Sequence, residues 1–245
     1  MYGLFFVPHG DGPFPLVIGQ HGGSGTPELC AGFYGPSNYN DMITRLLRHR
    51  CVVFAPQLHL WTTQQGPENK RNLLDNRLKQ LGSSITAVEL FRLRRSLDYL
   101  QTRPEVDASR IGMAGLSYGG FYTLFMAAAD TRIRAALSSC FFNDRYVYDR
   151  VDWTWRNSAG MFLDAEVAGL ICPRPLYIEV GLQDELFEAV HAKAEALKVI
   201  DRYARLNISE RFRYREFQGK HEFDKSDEGI EFLMKHLSLT NCDGR

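Results

Sequence analysis

The chain has no surplus of charge. Its 29 lysines and arginines balance 29 aspartates and glutamates over 245 residues, for a net charge of 0 and a sequence pI near 7.0. Binding to nucleic acid rests on clustered basic side chains, so this balance argues against a polyanionic partner. Also lacking is any apolar run approaching the roughly 20 residues of a membrane helix, and no membrane partner is expected. Met1–Gly10 has neither a basic start nor a long apolar stretch, so no secretory leader is visible and a cytoplasmic protein is expected. The five cysteines, Cys30, Cys51, Cys140, Cys172 and Cys242, are scattered and form no C-x-x-C pair. That spacing fits neither a zinc site nor a disulfide framework, and reduced thiols are the expectation. No internal repeat, low-complexity tract or linker-like stretch divides the chain.

What is present is the composition of an ordinary globule, 44% hydrophobic and 24% charged, long enough to bury one sizeable core over residues 1–245. Phe14–Gln20, a short apolar run, and Cys51–Ala55, Arg110–Ala114, Ile133–Ser139, Pro175–Gly181 and Phe212–Phe217 read as strands. Between them lie helical spacings. Leu90, Leu93, Leu97 and Leu100 advance by three, four and three, as do Phe187, Val190, Ala194 and Leu197. Ile230, Leu233, Met234 and Leu237 mark a closing helix. Alternation of this kind predicts an α/β fold: a mostly parallel central sheet with helices on both faces. Such folds carry their chemistry in loops at the carboxyl ends of the strands.

One of those loops holds Gly115-Leu116-Ser117-Tyr118-Gly119, a G-x-S-x-G string between a predicted strand and a predicted helix. That setting suits a nucleophile elbow, a sharp turn that holds its serine in a strained backbone conformation. Bulky neighbours two residues either side would collide, which the glycines avoid. Phosphate-binding turns fit less well, since Phe121 and Tyr122 follow where a P-loop needs lysine and neither glycine loop supplies G-x-G-x-x-G.

A serine hydroxyl needs a base to take its proton. After Ser117 come His191, His221 and His236; the first and last fall within predicted helices, whereas His221 sits in a loop just past the last strand. His221 is therefore the expected base. An imidazole in turn needs a carboxylate to fix its tautomer. Asp184, in the loop Gly181–Glu185, gives the order Ser117, Asp184, His221; Glu185, Glu179, Asp144 and Asp149 are its competitors. As an alternative, Asp184 caps a helix beginning near Phe187. For the anion formed during acyl transfer, donors are expected from the Tyr118 amide and from the loop His21-Gly22-Gly23, with Gly23 preferred over Gly22.

With these residues assembled, the chain resembles the α/β-hydrolase superfamily across nearly its whole length. Arg110 through Gly120, preceded by Pro104-Glu105-Val106-Asp107, is similar to the dienelactone hydrolase and acetyl xylan esterase-like branch, and to the catalytic domain of prolyl oligopeptidases. The resemblance implies a carboxylic ester hydrolase with a Ser117–His221–Asp184 triad, an acyl-enzyme, and no cofactor or metal. Such folds usually begin with an antiparallel strand pair, but only Tyr2–Val7 precedes the His9–Gly12 turn, so at least one strand is expected to be missing. A bare edge invites association, and a homo-oligomer is expected.

Residues 141–170 break the strand–helix rhythm and carry Phe141, Phe142, Tyr146, Tyr148, Trp153, Trp155 and Phe162, nearly double the chain's 12% aromatic content. They read as a small cap insertion whose rings either line the substrate pocket or pack a core of their own. The stretch 57–80, with His59 and Trp61, reads as a second wall. His9 and His59 lack partners at metal-ligand spacing. The expected substrate is a small-molecule ester, of short acyl or sugar-acetate type. A peptidase of the prolyl oligopeptidase type, or a non-catalytic binding protein on the same fold, are the alternatives.

Overall fold

A computed structural model describes residues 1–61, 70–147 and 151–239. Seven strands are described: β1 (Gly3–Phe6), β2 (Phe14–Gln20), β3 (Val52–Pro56), β4 (Val106–Leu116), β5 (Ile133–Ser139), β6 (Leu176–Gly181) and β7 (Phe212–Phe217). They form one sheet in the order β1-β3-β2-β4-β5-β6-β7, with only β1 antiparallel to its neighbour. The helices are α1 (Pro27–Cys30), α2 (Met42–Arg48), α3 (Lys70–Gln80), α4 (Ile85–Leu100), α5 (Tyr118–Ala129), α6 (Ser158–Met161), α7 (Asp164–Ile171), α8 (Ala189–Arg205) and α9 (Glu228–Leu239).

Both faces of a parallel sheet are covered by crossover helices, so its central strands are apolar throughout and not in alternation. β2 shows this: all seven of its residues are buried. Leu16 and Ile18 point into one core with Leu93 and Leu97 of α4, Phe121 and Leu124 of α5, and Val199 of α8. Val17 points the other way, into a second core with Ile43 and Leu46 of α2 and Ile230 and Leu233 of α9. The predicted strands, α4 and α9 thus stand where the periodicity puts them. α8 is also present, but the Val190, Ala194 and Leu197 positions read as its apolar face are exposed, and it buries Ala192, Ala196, Val199 and Tyr203 instead. α3 was not anticipated. Its buried side chains are Arg71 and Asp75, so it carries no apolar stripe to read.

Parallel pairing brings five strand ends to one edge. Gln20 lies beside Gly115, Leu116 beside Ser139, and Gly181 beside Phe217. The loops that follow β2, β4, β5, β6 and β7 therefore share a rim.

The aromatic-rich stretch forms an insertion after β5, with a 3-10 turn at Val151–Trp153 followed by α6 and α7. Among the described residues, five of its rings join the main core, while Tyr146 is exposed. Phe141, Phe142 and Trp153 are buried in the same cluster as α5. The Trp153 ring lies 4.9 Å from Phe121, 4.3 Å from Tyr118 and 5.1 Å from Phe141. Tyr148, Asp149 and most of the polar run within 57–80 lie outside the described residues.

Removing a ring buried on several sides leaves a cavity that its neighbours fill poorly. Trp153→Ala should cost about 3–5 kcal/mol in a denaturant melt. Tyr146→Ala, at a ring 72% exposed, should stay within about 0.5 kcal/mol. Equal effects would contradict the placement of Trp153 in the main core.

Candidate active site

Ser117 stands between β4 and α5 with φ 59° and ψ −117°. A non-glycine residue at positive φ carries strain that its surroundings must hold. Here the Ser117 amide donates to the Ser139 carbonyl at 2.8 Å, and its own carbonyl accepts from the Phe121 amide at 2.9 Å. The turn is also tight in space. A Cβ on Gly119 would collide with the carbonyl of Gln20, so only glycine lets α5 start this close to β2.

Asp184 divides its two oxygens between two tasks. Oδ1 accepts the Leu186 amide at 2.8 Å and the Phe187 amide at 3.1 Å, which folds its own loop. Oδ2 accepts from His221 Nδ1 at 2.8 Å. The predicted pairing of Asp184 with His221 is thus present, and so is a turn-capping role, although α8 begins only at Ala189 with Glu188 at its cap position. Among the competitors, Glu185 is exposed, and Asp144 accepts the Tyr146 amide in a local turn. Because Nδ1 donates to the carboxylate, Nε2 of neutral His221 is left as an acceptor.

The loop bearing His221 is tied across the molecule. Phe223 N–H donates to the Asn38 carbonyl at 2.8 Å, Asn38 Nδ2 donates to the His221 carbonyl at 3.2 Å, and Arg45 Nη1 donates to the Asp224 carbonyl at 2.7 Å. The Phe187 ring lies against the imidazole, centroids 5.6 Å apart and planes 24° from parallel. His191 and His236 lie on α8 and α9, as expected.

The third member of the cluster corrects the expected mechanism. Cys140, the residue after β5, brings its Sγ together with a ring nitrogen of His221 and a carboxylate oxygen of Asp184, all within 4.8 Å of one another. Ser117 makes no side-chain hydrogen bond to His221 among the described residues. The expectation of ester cleavage through a Ser117–His221–Asp184 relay is therefore replaced by a Cys140–Asp184–His221 cluster. Cys140 had no motif around it, and its only sequence signal is its place at a strand's carboxyl end. Its thiol donates to the Glu222 carbonyl at 3.2 Å. Burial, and then the Asp184 carboxylate, push that thiol well above its ordinary range, so at rest it holds its proton. Thiol, carboxylate and imidazole are also metal-ligand types. Here both Asp184 oxygens are engaged by N–H donors and the thiol donates to the Glu222 backbone carbonyl, so the carboxylate and the thiol already have hydrogen-bond partners without a metal.

The glycine loop after β2 reaches the same rim. Gly22 N–H donates to Tyr39 Oη at 2.7 Å, so that amide is already engaged. Gly23 packs against Tyr118, where a Cβ would sit 3.0 Å from the ring. His21 holds the loop from beneath. The Leu58 amide donates to His21 Nε2 at 3.0 Å, which leaves the proton on Nδ1, 2.7 Å from the Gly22 carbonyl. Burial lowers the His21 pKa to about 4, so this ring is neutral at physiological pH.

The model of the dienelactone hydrolase family matches residues 29–212, a span that includes Ser117, Cys140 and Asp184. The chain belongs to the dienelactone hydrolase family. YtaP of Bacillus subtilis (strain 168), which bears the name of a hydrolase, is 28% identical over 194 residues; the match covers 73% of this chain and 63% of that protein's length. A solved methylesterase is 20% identical with a TM-score of 0.72, covering 96% of this chain and 50% of its own. A protein of Bacteroides fragilis NCTC 9343 named as an acetyl xylan esterase is 15% identical with a TM-score of 0.69, covering 95% and 69%. These structures share the α/β-hydrolase fold with this chain.

In this dienelactone hydrolase family member a further carboxyl group supports the His221 loop. Glu179 of β6 is buried, and its Oε1 accepts the Asp224 amide at 3.1 Å. Burial raises its pKa to about 7. The unfolded chain releases that proton near pH 4.5, while the folded chain keeps it to about 7. Stability from this group is therefore present at low pH and lost as pH rises from about 4.5 to about 7. Glu179→Gln, which keeps the acceptor and cannot ionise, should gain stability relative to the parent as pH rises from 5 to 8, by on the order of 3 kcal/mol at most. Thermal melts across that range check it, and a constant difference would contradict the buried acid.

Proposed function

We propose that this chain hydrolyses carboxylic esters of small molecules at the carboxyl rim of its sheet, with His221, oriented by Asp184, as the group that takes up and returns the proton. The observation that carries this reading is the 2.8 Å hydrogen bond from His221 Nδ1 to Asp184 Oδ2. It fixes the ring so that Nε2 is the basic atom, as acyl transfer requires. The adjacent Cys140 thiol is consistent with a cysteine-based attack. In that route His221 accepts the thiol proton, sulfur bonds to the carbonyl carbon, and the alcohol leaves with the proton from His221. Water, deprotonated by His221, then cleaves the thioester and restores the thiol.

Ser117, Tyr118 and Gly23 are proposed as further site residues. Ser117 stands on the strained turn of the same rim. The Tyr118 amide opens α5, where the helix dipole favours negative charge. The Gly23 amide has no hydrogen-bond partner among the described residues and is the better candidate than Gly22 for the second donor to the carbonyl oxygen. The fold relatives named as a methylesterase and an acetyl xylan esterase support small acyl or methyl esters as the substrate class. The described cysteines are free, which supports a reducing, cytoplasmic setting, and no helix among the described residues is long and apolar enough to cross a membrane. The single sheet supports reading residues 1–245 as one domain, and its short edge strand β1 supports self-association.

His221→Ala should lower kcat on p-nitrophenyl acetate by about a thousandfold or more, with the melting temperature little changed. Turnover close to that of the parent would overturn the proposal. Cys140→Ala and Ser117→Ala in the same assay, with iodoacetamide labelling of the parent, assign the attacking atom.

A further inference from the structure

The Tyr118 side chain runs from the strained turn into the insertion. Its hydroxyl donates to Asp152 Oδ1 at 2.8 Å, and Asp152 Oδ2 accepts from Arg71 Nε at 3.0 Å. Arg71 is wholly buried and donates from Nη1 to Glu89 Oε1 at 2.9 Å and to the His59 carbonyl at 2.8 Å, and from Nη2 to Tyr122 Oη at 2.7 Å. Arg92 donates to the other Glu89 oxygen at 2.7 Å. Two guanidinium groups thus meet two carboxylates, and their charges cancel.

A buried ionic network is poor as a source of stability, because desolvation offsets most of the attraction; apolar side chains of the same volume would serve as well. What such a network supplies is direction, since each donor accepts only one geometry. The group it directs is the Tyr118 ring. That ring is flanked by Trp61, centroid 5.1 Å away, and Trp153 at 4.3 Å. It also packs against Gly23 so closely that a Cβ there would sit 3.0 Å away. One ring therefore belongs to the residue carrying one proposed carbonyl donor and touches the residue carrying the other.

We infer that Asp152, braced by Arg71, is a positioning residue that sets the spacing of the Tyr118 and Gly23 amides by fixing the direction of the Tyr118 ring, and so latches the insertion to the turn at Ser117. This rests on the ester hydrolase reading for its kinetic consequence, but not for the latch itself.

Tyr118→Phe tests it, because that change removes the hydroxyl and keeps the ring. Two readouts are needed. In hydrogen exchange, residues 151–161 should exchange at least about tenfold faster than in the parent while α9 is unchanged. In kinetics on p-nitrophenyl acetate, kcat should fall about tenfold with KM within about twofold, the pattern of a misplaced donor and not of lost binding. Asp152→Ala should lower kcat at least as far, and adding Tyr118→Phe to it should lower kcat no further, as expected of one shared interaction. Unchanged exchange at 151–161 would overturn the latch. Faster exchange with an unchanged kcat would overturn the positioning role. If the parent protein hydrolyses no ester, the proposed function fails along with its kinetic consequence, and the exchange result still decides the latch.

Discussion

Asp184 is the point at which two otherwise separate loops become one site. Oδ1 folds the loop after β6 by accepting two of its amides, and Oδ2 reaches the loop after β7 by accepting from His221. A carboxylate wholly buried and engaged on both oxygens leaves little freedom to either loop. The remaining parts of the rim are arranged around it. Asn38, Arg45 and Glu179 hold the His221 loop from the α2 and α9 side of the sheet, while Phe187 covers the imidazole from the other core.

Backbone proximity is the second constraint. The starts of α5 and of the glycine loop approach until only hydrogen atoms fit at Gly119, and the neutral His21 ring fastens that loop to Leu58. These contacts lie at the edge where parallel pairing collects the strand ends, so the sheet order and the chemistry share one cause. On the α4 and α5 face, a buried ionic network of Arg71, Glu89, Arg92 and Asp152 joins α3, α4 and the insertion behind Tyr118.

Much of this was legible in the sequence where the signal is local or periodic. β2 and β5 announce themselves as largely apolar runs and α4 and α9 as three–four spacings, whereas the spacing that marks α8 lies on its exposed side. Asp184 and His221 were found by chain order, because each follows a readable strand. What was not legible depends on contacts between distant residues. α3 buries charge and so shows no stripe. The Arg71–Asp152 pair is separated by 81 positions. The insertion's aromatic richness was plain, but the direction in which Trp153 points depends on α5. Cys140 was counted only as one scattered thiol, and its place in the cluster follows from β5 ending at the same rim as β6 and β7. The expected serine relay erred at that step. Ser117 was placed on the right turn, but the turn alone does not say which side chain meets the imidazole.

The most direct test of the central claim is proton NMR of the imidazole N–H region, comparing the parent with Asp184→Ala. The account predicts two slowly exchanging, far-downfield ring N–H resonances in the parent, from His221 and from His21, and loss of the first alone in the variant. Retention of both resonances in folded Asp184→Ala would contradict it.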